Sequence, residues 1–218
     1  MSLPSDIGQV GGYHRRVVYD TRFVDERRDV ARARILRAAR TVLAERGLAA
    51  TVDEVAAAAG VNRRTVFRHF NTRYALFAEA IQEGIRRYTV RIPKPPGDDL
   101  RGWLVDLLVV VHRLNARNGR IYWELAGLGP GDLPAELAAA AADRRAASKR
   151  FAATVTTRMW QARCGRGRPP AWLVDAVAVH LSGFTTQSLT GDFGRTPQEV
   201  ARVSAQVLEA ALTAALAA

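Results

Sequence analysis

The chain has one cysteine, Cys164, so no intrachain disulfide is possible. A reactive thiol needs a neighbouring base or cation, and Arg163 and Arg166 are near in sequence; a bland cysteine at a helix end fits better. No uninterrupted apolar run reaches the ~18–20 residues of a membrane span, and the N-terminus lacks the apolar core of a signal peptide. These absences lead to the expectation of a reduced, cytoplasmic protein. There is no HExxH, no paired-cysteine motif, no glycine-rich phosphate loop and no nucleophile elbow. The four histidines, His14, His69, His112 and His180, do not stand at metal-ligand spacing. Asp175, His180 and Ser182 are five and seven residues apart, which points them in different directions on a helix. No catalytic residue, metal or cofactor is expected. Strand-like alternation and internal repeats are also missing.

What is abundant is positive charge and apolar side chain. The formal charge is +11 and 48% of the 218 residues are hydrophobic, enough for a substantial core and suited to an anionic partner. Residues 1–91 hold 17 Lys and Arg against 10 Asp and Glu; residues 92–218 hold 15 against 11. The excess therefore leans towards the N-terminal half. Residues 1–28 read as a partly flexible arm, glycine-bearing at first and basic at its end, which could touch DNA. Helical spacing predicts helices over 29–46, 73–91, 100–118, 120–128, 134–163, 171–190 and 197–216, with Asp98 and Asp99 capping and Thr196-Pro197 opening the last.

The stretch Thr51 to Phe70, TVDEVAAAAGVNRRTVFRHF, reads as a helix-turn-helix. Thr51 and Glu54 form a capping box, Gly60 supplies the left-handed stop, and Asn62 caps a second helix. Val55, Ala56, Val61, Val66 and Phe70 make the apolar seam. Arg63, Arg64, Thr65, Arg68 and His69 are left outside, a set that can bond phosphates and guanine edges from a major groove. The residues by themselves also allow an ordinary helical hairpin with a solvated basic face.

The stretch Ile35 to Ala80 resembles the N-terminal domain of the TetR/AcrR family of bacterial transcriptional regulators. The shared features include Ile35, Ala39, Gly47, Thr51, Val55, Ala56, Gly60, Val61, Thr65, His69, Phe70 and Leu76. This chain departs from the usual pattern at Arg64, where a small residue is common, at Phe67, where tyrosine is common, and at Arg73, where lysine is common. The resemblance implies an all-α protein: a three-helix helix-turn-helix head over 29–80 and a larger helical ligand-binding and dimerisation body over 81–218. It implies a homodimeric regulator of transcription, a repressor released from a pseudo-palindromic operator by a small-molecule ligand. Partners would be double-stranded DNA, a second copy, and a largely apolar effector, with no membrane. An all-helical pocket enzyme, or a scaffold that kept the head, are the alternatives.

Site residues follow from this reading. Arg63 and Arg64 would touch bases; Thr51, Asn62, Thr65, Phe67, Arg68, His69 and Arg73 would hold phosphates. An effector pocket would be walled by Trp103, Leu107, Val111, Trp123, Met159 and Phe184, with His112, Asn115, His180 and Gln187 as polar contacts. A packed core is the other account of the same aromatics. The last two helices are apolar over more than one face, so Ala176, Val179, Gly183, Val200, Val203, Val207, Ala210 and Ala211 are expected in a dimer interface.

Overall fold

The computed structural model describes residues 21–87, 92, 98–163 and 167–217. Cys164, Tyr88, the proline-rich link near 93–97 and the first 20 residues of the arm lie outside the described residues. Nine α-helices and no strand are found among the described residues, in agreement with the all-α expectation. In chain order they are α1 (Thr21–Arg46), α2 (Val52–Ala59), α3 (Arg63–His69), α4 (Arg73–Arg87), α5 (Leu100–Gly127), α6 (Ala135–Arg163), α7 (Ala171–Leu181), α8 (Gly183–Gly191) and α9 (Pro197–Ala217).

Helices α1 to α4 fold around Ile35, Leu43, Val55, Leu76 and Phe77, all fully buried. The same cluster takes in Ile121 and Leu125 of α5, and Leu137 and Ala141 of α6. The head is thus seated on the body through one continuous apolar core, not through a linker alone. A second core joins α5, α6, α7 and α9 through Leu104, Leu108, Val155, Leu173 and Leu208. Asp99 opens α5 by accepting the Gly102 N–H at 2.8 Å. Thr196 and Glu199 close a reciprocal cap on α9, at 2.8 and 3.3 Å.

Three boundaries differ from the sequence reading. Helix α1 starts at Thr21, not near Asp29, so residues 21–28 are its first two turns. The helices expected at 100–118 and 120–128 are one rod: a lone Gly119 costs about 1 kcal/mol, which burial of Ile121 and Leu125 beyond it offsets. The helix expected at 171–190 is broken at Ser182, whose extended backbone lets its side chain cap α8 through the Thr185 N–H. Helix α9 is, by length and mean hydropathy, capable of crossing a membrane. It carries Arg202 and Glu209, and one face is buried in the body through Val200, Ala201, Leu208 and Leu212, so it is read as a body helix.

Candidate nucleic-acid interface

Local chemistry builds the α2–α3 unit. The Thr51 hydroxyl accepts the Glu54 N–H at 3.2 Å, and the Glu54 carboxylate accepts the Thr51 N–H at 2.8 Å. Those bonds hold the Glu54 carboxyl below its ordinary pKa, the backbone bond from Thr51 first. Gly60 ends α2 at φ +61°, where only glycine sits without strain. A Cβ there would also lie 2.3 Å from the Arg34 guanidinium, which donates to the Gly60 carbonyl from α1. Asn62 then caps α3, accepting the Thr65 N–H at 2.7 Å. Val66 and Phe70 anchor the inner side of α3, both nearly fully buried.

This anchoring turns Arg63, Arg64, Phe67 and Arg68 outward, and all four are exposed. Asn62, Arg64, Thr65, Phe67 and Arg68 line an open depression of about 430 Å³. Arg64 and Arg68 have no partner among the described residues. Arg63 is different: it pairs with Asp53 at 2.6 Å and lies over the Phe67 ring at 5.3 Å. Both members of that pair are well exposed, so it is worth well under 1 kcal/mol and can open for DNA. Arg64 is the cation presented without rearrangement. The Asp53 partner was not foreseen, since nothing in the α2 sequence marks it.

Two residues expected at phosphates are placed elsewhere. Arg73 turns inward: its guanidinium donates to the Leu48 carbonyl and lies over the rings of Phe77 and Tyr74, at 5.2 and 5.5 Å. It braces the turn after α1 because that turn, Gly47–Ala49, leaves its carbonyl pointing at the start of α4. Both His69 ring nitrogens are covered and make no hydrogen bond. Burial, then the charges of Arg68, Arg28 and Arg32, push the His69 pKa down. The Thr51 and Asn62 side chains stay exposed, but their first duty is capping; the Thr65 hydroxyl donates to Asn62 at 2.9 Å.

A contact that sequence reasoning missed joins head to body. Glu124 of α5 accepts the Leu48 N–H at 2.6 Å, and is itself held by Arg120 at 2.5 Å. Leu48 thus has its N–H fixed by the body and its carbonyl fixed by Arg73. Gly47, at φ +59°, leaves the space this needs: a Cβ would fall 2.2 Å from a Glu124 carboxylate oxygen. Thr72, just before α4, and Gln82, on α4, add bonds to Glu136 and Asp143 of α6. No local motif announces partners more than 60 residues apart.

The residues expected to wall an effector pocket do not share one cavity among the described residues. Trp103, Leu107, Val111 and Met159 are packed into the body core. His112, Asn115 and Thr186 form a buried polar cluster: His112 Nδ1 meets the Thr186 hydroxyl at 2.8 Å, and Asn115 donates to Thr186 and to the Leu181 carbonyl, each at 3.1 Å. Burial, with His180 adding a little, lowers the His112 pKa to about 4, so the ring is neutral. His180 bonds Ser204 on α9, not Asp175 or Ser182. Trp123 and Phe184 stack at 5.0 Å on the outside, and Gln187 is exposed, because the break at Ser182 turns α8 away from the core.

The expected dimer face divides as well. Val200 is fully buried in its own subunit, and Ala176 and Ala211 are partly covered by the body core. Val179, Val203 and Val207 are 56%, 47% and 42% exposed, a large apolar exposure for adjoining helices, and Ala210 is exposed with them; Gly183 is half-buried. No cluster of three or more His, Cys, Asp or Glu able to hold a metal occurs among the described residues.

Two capped helices, a glycine turn between them and an outward arginine face define a helix-turn-helix. Three comparisons with known proteins give similarities. Residues 35–80 match the model of the bacterial regulatory proteins of the tetR family. An HTH-type transcriptional repressor of Streptomyces coelicolor is 30% identical over 110 residues, which is 50% of this chain and 56% of that protein. The chain therefore spans about half the length of that curated relative. A TetR transcriptional regulator from Rhodococcus sp. RHA1, of known crystal structure, aligns with 85% of this chain and 98% of its own at 21% identity and a TM-score of 0.47.

Proposed function

We propose that the protein is a sequence-specific DNA-binding regulator of transcription, acting as a homodimer and most simply as a repressor. The observation that carries this is the exposed, unpaired Arg64–Arg68 face of α3, held out by two capped helices on a buried seam. The relative in Streptomyces coelicolor is described as a repressor and not as an enzyme, which supports the same reading. Arg64 reads a guanine edge, and Arg63 joins it when its exposed pair with Asp53 opens. Arg68, with Thr51, Asn62 and Thr65, holds phosphates and sets register; Phe67 packs beside them without a hydroxyl to offer.

One such helix binds weakly, and the exposed valines of α7 and α9 give a reason for pairing. Val179, Val203 and Val207 covered by their twofold copies would set two α3 helices about 34–36 Å apart, on a pseudo-palindromic operator. The head would then occupy 29–80 and the ligand-binding and dimerisation body 81–218, with the α5–α6 ends shared between them. A small-molecule effector would act by favouring a body conformation that spaces the heads wrongly, and only if it binds that conformation more tightly.

Selection of bound sequences from a random duplex library tests the proposal. The expected result is a twofold-symmetric motif, bound by two chains, from which Arg64→Ala removes about 1–3 kcal/mol and relaxes one base position per half-site. Recovery of no common motif at moderate salt would point to the scaffold alternative.

A further inference from the structure

Helix α1 passes beside the end of α3 at Arg32. Arg32 fixes that arrangement: its guanidinium sits over the Phe70 ring at 5.3 Å, at the residue that caps α3, and is paired with Glu79 of α4. Arg28 is one turn earlier on the same face of α1, on the side of the helix that Arg32 turns to Phe70. The charges that act on His69 are those of Arg68, Arg28 and Arg32. Arg32 is spent on Glu79 and Phe70. Arg28 is exposed and has no partner among the described residues, as is true of Arg68 and Arg64.

We infer that Arg28, carried on the extension of α1 over residues 21–28, is a second DNA-backbone contact which clamps a phosphate together with Arg68 at the C-terminal end of the recognition helix. This rests on the DNA-binding reading above and adds to it a contact from outside the helix-turn-helix. Arg64, Arg68 and Arg28 then form one unpaired basic line that starts on α3 and crosses to α1. A guanidinium on a phosphate carries no base preference, so Arg28 adds affinity and fixes orientation without changing the sequence read.

The experiment compares the full-length wild type with Arg28→Ala, Arg28→Lys and Arg37→Ala on two probes: a duplex recovered by selection and a random-sequence duplex, titrated over a range of KCl. Arg37 is also exposed on α1, nine residues or about 13 Å further along, and serves as a control for net charge. Arg28→Ala should weaken both duplexes about three- to tenfold near 0.15 M salt and lower the salt slope by about 0.9 per chain bound. Arg28→Lys should restore most of it, and Arg37→Ala should do little. Hydroxyl-radical footprints should lose protection at one backbone position for each half-site. Because Arg28 is exposed and has no hydrogen-bond or ion-pair partner among the described residues, thermal melting of the variant should stay close to the wild type. An unchanged slope and footprint in Arg28→Ala, or an equal loss in Arg37→Ala, overturns the clamp while leaving the DNA-binding reading intact. A wild type that binds neither duplex removes both.

Discussion

Polar contacts in the head and in the body are built on different scales. In the α2–α3 unit, Thr51 bonds Glu54 and Asn62 bonds Thr65, each three residues away. In the body, His112 bonds Thr186 and Asn115 bonds Leu181, 74 and 66 residues away. The first kind forms as soon as a helical turn does, and leaves the arginines of α3 free to face out. The second kind forms only when α5, α7 and α8 are already docked, and it buries an ionisable ring. The head is therefore a locally specified tool. The body is a packed support whose polar interior can tie its stability to conditions.

The sharpest way to test that contrast is pH. His112 is held near 4 in the fold, against about 6.5 when unfolded. Its contribution is complete above about pH 6.5 and is lost as pH falls towards 4, because the unfolded chain then binds a proton that the fold refuses. The loss approaches about 3 kcal/mol. His180, also lowered by burial, adds in the same direction. Urea unfolding at pH 7.5 and pH 5 should show this dependence in the wild type, and His69 of the head, also lowered by burial, adds in the same direction. His112→Gln should remove the larger part of it; an equal loss in that variant would assign the effect to other groups.

A smaller effect concerns Arg73, which belongs to the head yet bonds like the body, to Leu48 at 25 residues' separation. Arg73→Ala should cost about 2 kcal/mol of stability, through a charge-assisted bond and two ring contacts. Once folded, the variant should keep the salt slope of DNA binding. A reduced slope with unchanged stability would return Arg73 to the phosphates. The least effect is expected for the local cap: Thr51→Ala should cost about 1 kcal/mol, read from the melting temperature, with faster amide exchange confined to the start of α2. Loss of structure in α7–α9 after that change would contradict the separation of scales.

Legibility followed the same division. The helix-turn-helix, its caps, the Gly60 stop and the buried seam could all be read from residues within one or two turns of one another. Arg63 was read as free because Asp53, its partner, sits on a different helix. Arg73 and His69 were placed on the outside because helix position alone does not say what the preceding turn leaves open. The single rod of α5 and the break at Ser182 were missed for a related reason. A glycine can be carried by packing on both sides, and a serine can cap a helix only if the next element is placed to receive it. Candidate pocket residues divided between core and surface because an apolar stripe records burial, not whether the space it faces is filled.

The amino-acid order settled α2 and α3, the turn between them, and which face of α3 would be left wet. These depend on hydrogen bonds and apolar contacts a few residues long, whose entropy cost is small. Docking of the assembled chain decided the rest: that Glu124 grips Leu48, that Arg73 is withdrawn from the surface, and that His112 is sealed in the body. Such pairings need distant segments brought within about 3 Å, and no local spacing encodes that.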